Sequence, residues 1–239
     1  MANVEDNKVY QSNQLIEASY TLTLMEKRLV LYAASLMDSR KAAPVNGLVV
    51  LSVDDFAEVF GMDMQVRNDV YTKIKEAADR LYSRDIHRYT LGKNGEQEKE
   101  TLRWIYSRKY LPGEAKIALG FSPTVLPYLT LLETKFTGYK LKNISNLTSF
   151  NSFRLYELML QQARFKSRTF ELSKLRELLG MEDKYPSVGD FRRYVLDQSV
   201  KEISQHTDLK LDYTPLKKGR AITGFKFSVE RNDQIPLLM

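Results

Sequence analysis

The chain of 239 residues is predicted to have an α+β fold in which one structural unit occurs twice. First, residues 51–63 (LSVDDFAEVFGMD) align without gaps with residues 170–182 (FELSKLRELLGME). Second, apolar residues coincide along both stretches, in the pattern of a short strand followed by a helix that ends at glycine. Third, an apolar-periodic helical segment precedes each stretch, and a further helix and alternating strand patterns follow it.

The repeat also has identical residues, which are Glu58 with Glu177, Gly61 with Gly180 and Met62 with Met181. In each copy the order is helix, strand, helix, turn, helix and two-stranded hairpin, which is the order of a winged helix. We therefore predict two tandem winged-helix domains, residues 1–135 and 136–239, related by a divergent internal repeat. The junction is placed at the start of the weakly periodic segment that follows Lys135.

Capping and turn residues locate the elements of the first domain. Thr23 and Glu26 have the spacing of a capping box, which predicts a helix to about Met37. A strand at 48–53 leads into the first repeat helix, and a helix at 66–84 follows. Strands at 86–91 and 101–110 flank a wing turn at 92–96, and Ser122 with Pro123 predicts a further helix to about residue 134.

The second domain repeats this order. A helix is predicted at 150–165, followed by a strand and helix within 169–179. Tyr185, Pro186 and Ser187 open the next helix, residues 188–204. Strands at 209–213 and 222–229 enclose a second wing turn at 217–220.

Composition excludes several classes of protein. The chain has no cysteine, so it has no disulfide framework and no thiolate metal site. Its apolar runs are too short to span a bilayer, and its start does not resemble a signal peptide. We expect a cytoplasmic protein that needs no cofactor.

Net charge differs between the predicted domains. Residues 1–135 hold 18 basic and 18 acidic side chains, whereas residues 136–239 hold 18 and 12. A basic domain attracts a polyanion, and for a winged helix that polyanion is most simply duplex DNA. An ordinary soluble basic face explains the sign of the charge, but not its confinement to one domain.

The helix at 188–204 is the predicted DNA-reading helix of the second domain, because the second helix of a helix-turn-helix enters the major groove. A helical wheel places one set of side chains on its outer side: Ser187, Asp190, Arg193, Tyr194, Asp197, Gln198 and Lys201. Arg193 is the best candidate for a bidentate contact to guanine. Arg192 falls on the inner side, yet from the first turn it could reach a phosphate. A solvated or salt-bridged surface remains the alternative for this pair of arginines.

Three cations surround one glycine at the second wing turn, namely Lys217, Lys218 and Arg220. Such a turn repels itself in isolation, and beside a phosphate backbone it releases counterions. We assign it to phosphate or minor-groove contact, with an exposed lysine-rich turn as the alternative.

The equivalent helix of the first domain mixes both signs of charge. Its outer face carries acidic residues beside Lys73, Lys75, Arg80 and Arg84, and its wing has three glutamates beside Lys93 and Lys99. We expect weaker contacts there from Lys73, Lys75, Arg80 and Lys93, mostly to the DNA backbone, together with a protein interface.

Catalytic motifs are mostly lacking. The sequence has no phosphate-binding loop of the Walker type, and its two histidines, His87 and His206, lie in different domains without a metal-ligand spacing. We therefore predict a protein that is not an enzyme and has no metal site.

Several short strings follow one another along the chain: residues 11–18 (QSNQLIEA), 154–158 (RLYEL), 190–193 (DFRR), 195–196 (VL), 201–203 (KEI) and 217–220 (KKGR), with Ile222 and 225–227 (FKF) after them. In this order and spacing they resemble the iteron-binding plasmid replication initiator family. The likeness extends from about Val9 to Val229. One departure is Tyr194, where some relatives would have another basic or polar residue.

The resemblance implies that two winged-helix domains bind one direct repeat, or iteron, of a plasmid origin, and that the second domain makes most base contacts. It implies a monomer that binds iterons and promotes origin opening, and a dimer, formed through the first domain, that represses the initiator's own gene. It also implies the host chromosomal initiator and the replicative helicase as partners.

Two other interpretations stay open at this point. A tandem winged-helix transcriptional repressor without a replication role would have the same DNA-reading chemistry. A rolling-circle nickase that acts through a tyrosine belongs to a different class, and a covalent protein–DNA adduct would reveal it.

Overall fold

The computed structural model describes residues 7–232, and the chain divides into two compact units, Met1–Ser145 (unit 1) and Asn146–Met239 (unit 2). Both units combine helices and strands, which confirms the predicted α+β class. Within the described residues, no helix has both the length and the apolar character needed to cross a membrane.

Unit 1 begins with a short strand and ends with the strand that pairs with it. Its helices are α1 (Asn13–Ile16), α2 (Leu24–Ser35), α3 (Val53–Val59) and α4 (Arg67–Leu81). Its strands are β1 (Lys8–Ser12), β2 (Leu48–Ser52), β3 (Asp85–Leu91), β4 (Gln97–Arg103), β5 (Ile105–Leu111), β6 (Lys116–Phe121) and β7 (Phe136–Lys140). The strands form a sheet in the order β2-β6-β5, a separate β3-β4 hairpin and an antiparallel β1-β7 pair.

The predicted capping box opens α2 and is confirmed. The Thr23 hydroxyl accepts from the Glu26 amide at 3.3 Å, and the Glu26 carboxylate accepts from the Thr23 amide at 2.9 Å. The helix buries Leu29, Val30 and Ala33 in the core of unit 1. Two backbone donors at the helix start are thereby satisfied.

Unit 2 has a simpler order of elements. They are α5 (Phe150–Leu160), β8 (Ser167–Glu171), α6 (Leu172–Leu179), α7 (Val188–Phe191), α8 (Asp197–His206), β9 (Leu209–Lys218) and β10 (Ala221–Arg231). The strands form one antiparallel sheet in the order β8-β10-β9. A π-helical segment, Arg192–Leu196, joins α7 to α8, so that residues 188–206 form one helix with a local widening.

The repeat is visible as one backbone motif used at the ends of α3 and α6. Gly61 and Gly180 both have left-handed φ angles, 59° and 64°. The amides of the following methionines donate to the carbonyls of Ala57 and Arg176, each at 2.8 Å. This is the Schellman pattern, in which a residue with positive φ closes a helix.

Two predictions for unit 1 are wrong. The strand predicted at 101–110 is two strands, because the chain turns at Trp104, whose side chain is fully buried. The helix predicted at 122–134 is only a 3-10 turn, Leu126–Tyr128. Pro127 lacks an amide hydrogen and disfavours helical backbone at the residue before it, and Leu131 has a φ of 53°.

The position of the first wing also changes. The sheets of the two units have matching orders, because β6 lies between β2 and β5 as β10 lies between β8 and β9. Strands β5 and β6 of unit 1 therefore correspond to the wing strands β9 and β10 of unit 2. The turn at 92–96 therefore closes an additional hairpin, β3-β4. The hairpin turn that corresponds to the wing of unit 2 contains the 3-10 turn Pro112–Glu114.

The units divide at Ser145, later in the chain than the predicted boundary at Lys135. The reason is a pairing that sequence periodicity does not show, because β7 completes a two-stranded sheet with β1 at the start of the chain. Lys140 and Lys142 thus belong to unit 1, which then has 20 basic and 18 acidic residues against 16 and 12 in unit 2. Unit 2 keeps most of the positive excess, though not all of it.

Candidate nucleic-acid interface

The helix at 188–206 separates into a buried side and an exposed side, as its periodicity predicts. The buried side chains are Phe191, Val195, Leu196, Ser199 and Ile203. The exposed side chains are Asp190, Arg193, Tyr194, Asp197, Gln198 and Lys201. The buried set fixes the helix on the core of unit 2, and the exposed set is available to a ligand.

Ser187 is at the start of this helix as its N-cap, because its hydroxyl accepts from the Asp190 amide at 3.4 Å. This agrees with the predicted helix start. The Ser187 side chain therefore has a structural partner in addition to its predicted contact with DNA.

The turn before the helix is held by one arginine that the sequence did not single out. Arg176, in the last turn of α6, donates to the carbonyls of Lys184 at 2.9 Å and Tyr185 at 2.6 Å. Its guanidinium also lies over the ring of Phe191, 4.9 Å from the centroid. The two helices of the helix-turn-helix are thus connected through one side chain.

Arg192 and Asp197 are connected to the wing through Tyr213 on β9. Arg192 Nε donates to the Tyr213 hydroxyl at 3.4 Å, and that hydroxyl donates to Asp197. Burial raises the pKa of Tyr213, and the hydrogen bond to Tyr213 raises the pKa of Arg192. Arg192 is half-buried, and its guanidinium is hydrogen-bonded within the protein.

Arg193 has a different environment, although it is the next residue. It is exposed, and its guanidinium lies 5.5 Å from the centre of the Tyr194 ring. Tyr194 is 45% exposed and stacks on Tyr185, with ring centres 6.2 Å apart and an angle of 26° between the planes. Arg193 and Tyr194 together form an exposed surface that can donate hydrogen bonds and stack.

The hairpin tip of unit 2 carries the predicted cluster of cations. Lys217 and Lys218 end β9, Gly219 has a φ of 63°, and Arg220 completes the turn. All four residues are exposed. The three cationic side chains form no ion pair with any residue between 7 and 232, so their charge is available to a polyanion.

The predicted contact residues of unit 1 differ from one another. Lys73 and Lys93 are exposed, Lys93 in the β3-β4 turn. Lys75 is exposed and its ammonium lies 5.2 Å from the Tyr110 ring centre. Arg80 donates to Glu26 at 3.2 Å, and Glu26 is fully buried.

Arg80 therefore stabilises unit 1, and so does Arg84. Arg84 donates to both carboxylate oxygens of Glu26, at 3.0 and 3.2 Å. The charge of the carboxylate that caps α2 is thereby balanced by Arg80, in the last turn of α4, and by Arg84, which follows that helix. The sequence interpretation placed both arginines on an outer face, and Arg80 is exposed there, but it did not show that Glu26 of α2 lies within reach of both.

A second polar cluster joins α4 to β5. Asp79 accepts from Arg108 at 2.5 Å and from the Tyr110 hydroxyl at 2.7 Å. The hydrogen bond from Tyr110 lowers the pKa of Asp79, and burial raises the pKa of Tyr110 to about 12. Asp79 consequently does not add free negative charge to the face of α4.

The residues of the candidate interface that sequence reasoning missed are Arg176, Tyr185 and Tyr213. A signal for Arg176 existed in the repeat, where its counterpart is Ala57, a fully buried residue that cannot donate a hydrogen bond from its side chain. Tyr213 gave no such signal, since an alternating strand predicts only which face it occupies. Over residues 7–232 the structure brings together no group of three or more acidic or histidine side chains suited to a metal ion.

The fold and the exposed cations define a class, that of tandem winged-helix proteins whose second unit has exposed cations on its helix and a cationic wing tip. Comparison with known proteins then gives the family. Residues 8–160 match the family model described as "Initiator Replication protein, WH1", and residues 171–229 match the one described as "Initiator Rep protein, WH2". The protein belongs to this replication initiator family.

Individual relatives agree with this assignment. A "Replication initiation protein" of Escherichia coli is 25% identical over 238 residues, which cover 96% of this chain and 72% of the relative. The "PI protein" of Escherichia coli is 25% identical over 254 residues, which cover 92% of this chain and 81% of that protein. Among solved structures, the "Crystal structure of Pi initiator protein in complex with iteron DNA" is similar with a TM-score of 0.78 and 26% identity, covering 96% of this chain and 99% of that one.

Proposed function

We propose that this protein initiates plasmid replication by binding direct repeats of an origin, with unit 2 making the sequence-specific contacts. The observation that carries the proposal is the set of exposed cations on the helix and wing tip of unit 2 that form no ion pair within residues 7–232, in a chain of the initiator family. A helix that enters the major groove and a wing that meets phosphate are the two contacts such a unit can make.

Unit 1 is proposed to support binding and to form a dimer. Its helix α4 offers Lys73 and Lys75 to the DNA backbone, while Arg80 is held by Glu26. The near balance of charge in unit 1 favours a weaker phosphate contact than in unit 2. In this proposal the monomer binds iterons and promotes origin opening, and the dimer represses the protein's own gene.

The proposal also assigns partners of the initiation reaction. They are the host replication initiator and the replicative helicase, and the helicase is recruited to the opened origin. The resemblance to the initiator family supports these partners. The protein is proposed to act in the cytoplasm, as a binding protein and not as an enzyme.

Footprinting on the DNA that flanks the gene tests the function. We expect protection of several direct repeats, spaced by about two helical turns, beside an AT-rich segment that becomes sensitive to permanganate when the protein binds. Protection of a single operator without repeats or opening would instead indicate a transcriptional repressor. Incubation with supercoiled origin DNA and Mg²⁺ is the companion experiment, and a covalent adduct would overturn the non-enzymatic mechanism.

A further inference from the structure

The turn between α6 and α7 contains a residue in an unfavourable backbone conformation. Tyr185 has a φ of 54°, in the left-handed region that a bulky side chain rarely occupies. Such a conformation persists only where the surroundings impose it. The contacts around Tyr185 therefore indicate what this turn is built to hold.

Arg176 is the side chain that imposes it. Its two terminal nitrogens reach the successive carbonyls of Lys184 and Tyr185, and the buried ring of Phe191 lies against the guanidinium plane. A planar fork with several fixed donors satisfies this geometry, whereas a lysine ammonium is a single flexible point charge. The conformation of the turn thus depends on an arginine at this position.

The strained residue in turn supports the exposed face of the next helix. The Tyr185 ring stacks on Tyr194, and the Arg193 guanidinium lies against the Tyr194 ring. Tyr194 projects from the helix into solvent, so Tyr185 is the neighbour that orders its ring. A continuous set of contacts therefore leads from Arg176 through the two tyrosines to Arg193.

We propose that Arg176 is a positioning residue, which sets the orientation of Arg193 toward one base pair through the stacked pair Tyr185 and Tyr194. This inference rests on the proposed function, since it concerns how unit 2 reads DNA. Unit 1 has Ala57 at the matching position of the repeat. The contacts from Arg176 to Arg193 therefore occur in unit 2, to which base recognition is assigned.

A double-mutant cycle with the full-length chain tests the proposal. The probes are a duplex with one direct repeat from the DNA next to the gene, the same duplex with each base pair substituted in turn, and a random duplex of equal length. The variants are Arg176→Lys, Arg193→Ala and the double variant. Arg164→Lys is the matched control, because it is the same replacement at a surface arginine outside the helix-turn-helix.

We expect Arg193→Ala to reduce the preference for one base pair about tenfold, the size of a lost bidentate contact. Arg176→Lys should reduce the preference at that same base pair about three- to tenfold, with random-DNA binding unchanged within about twofold. The double variant should be no worse than Arg193→Ala alone, and Arg164→Lys should match the wild type. Additive losses, or equal losses on repeat and random DNA, would overturn the proposal.

A second variant separates positioning from a loss of folding. Tyr185→Gly accepts a positive φ without strain and removes only the ring that stacks on Tyr194. We expect a folded protein, by circular dichroism, with the same loss of base preference as Arg176→Lys. Full retention of the preference in Tyr185→Gly contradicts the proposal.

The result for the wild type distinguishes the two levels of inference. If the wild type does not prefer the repeat over random DNA, the proposed function fails and the positioning role fails with it. If the wild type and Arg193→Ala behave as expected while Arg176→Lys keeps its base preference, only the positioning role is overturned.

Discussion

At the scale of single residues, the candidate interface is defined by which cations have protein partners. Arg192 and Arg193 are adjacent in sequence, yet Arg192 donates to Tyr213 and Arg193 projects beside the exposed Tyr194 ring. Arg80 is exposed as well, yet it donates to the buried carboxylate of Glu26, whereas Lys73 on the same helix forms no ion pair within residues 7–232. Helical phase already separates the two adjacent arginines, but only the packing shows which group each cation contacts.

The pair of arginines gives the first prediction. Arg193→Ala should cost about 1 to 3 kcal/mol of discrimination at one base pair, because it removes the donor fork that we propose to contact a base in the major groove. Arg192→Ala, the matched control, should leave that discrimination within about 0.5 kcal/mol, since its guanidinium serves Tyr213. Fluorescence anisotropy with base-substituted duplexes measures both, and equal effects of the two replacements would contradict the assignment.

Gly180 gives a second prediction at this scale. Its φ of 64° closes α6, so Gly180→Ala should destabilise unit 2 by about 1 to 2 kcal/mol. Gly189→Ala is the control, because Gly189 lies in α7 with a Cβ position at ordinary contact distance, 3.4 Å from the Ser187 hydroxyl oxygen. It should be neutral or stabilising by up to about 1 kcal/mol. Native-state hydrogen exchange of the unit 2 amides reports both changes.

At the scale of elements, the helix and the wing of unit 2 present different chemistry. The helix at 188–206 presents varied chemistry, a guanidinium, a phenol ring, carboxylates and an ammonium, whereas the wing tip presents only cations. Varied groups can tell base pairs apart, and a cluster of cations detects phosphate without regard to sequence. Tyr213 connects the two elements through Arg192 and Asp197.

The wing should therefore govern the salt dependence of binding. Lys218→Ala is expected to weaken binding to every duplex alike and to reduce the slope of log K against log salt by about 0.9. Lys210→Ala is the control. Lys210 is exposed on the same strand, but it lies opposite Glu230 in the strand register, at the end of the hairpin away from the tip. A loss confined to the repeat sequence in Lys218→Ala would show that the wing reads bases.

The elements of unit 1 depend on one buried carboxylate. Glu26→Gln should destabilise unit 1 by about 2 kcal/mol, since Arg80 and Arg84 lose the charge that their hydrogen bonds meet. Glu76→Gln is the control, because that carboxylate is exposed and lies 3.6 Å from Arg80, and it should change stability by less than about 0.5 kcal/mol. The buried Trp104, the single tryptophan of the chain, reports unfolding of unit 1 by fluorescence.

At the scale of the whole molecule, the two units share a backbone plan and differ in surface. The Schellman turns after α3 and α6 and the matching sheet orders show the common plan. Unit 1 adds the β3-β4 hairpin and the β1-β7 pair, and its charges are nearly balanced. We infer that DNA recognition is concentrated in unit 2, with unit 1 in a supporting role.

This division predicts the stoichiometry of binding. A duplex with one repeat should bind a single chain of 27.7 kDa, because one copy of unit 2 supplies one helix and one wing. Sedimentation velocity with a labelled duplex measures the mass of the complex. A complex with two chains on one repeat would contradict monomer binding, and an inverted pair of half-repeats that binds two chains is the control.

Much of the fold could be predicted because it depends on local patterns. The capping box at Thr23, the glycine-ended helices and the start of the helix at Ser187 all follow from residues close in sequence. The pairing of β7 with β1 could not be predicted in this way, since its partners are more than a hundred residues apart and alternation does not name a partner. The break at Trp104 was missed for a different reason, because alternation continues through residues 101–110 and does not show that β4 pairs with β3 while β5 pairs with β6.

For the candidate site, the sequence by itself determined which side chains of the helix at 188–206 face outward and that the wing tip is cationic, because helical phase and turn chemistry are local properties. Only the tertiary structure decided which other cations of the chain are engaged within the protein. Packing placed Tyr213 beside Arg192, Glu26 beside Arg80 and Arg176 against the turn at Tyr185. Each contact joins residues on different elements, which helical phase and turn chemistry do not relate to one another. The repeat determined the plan of both units, and long-range contacts determined how each unit uses it.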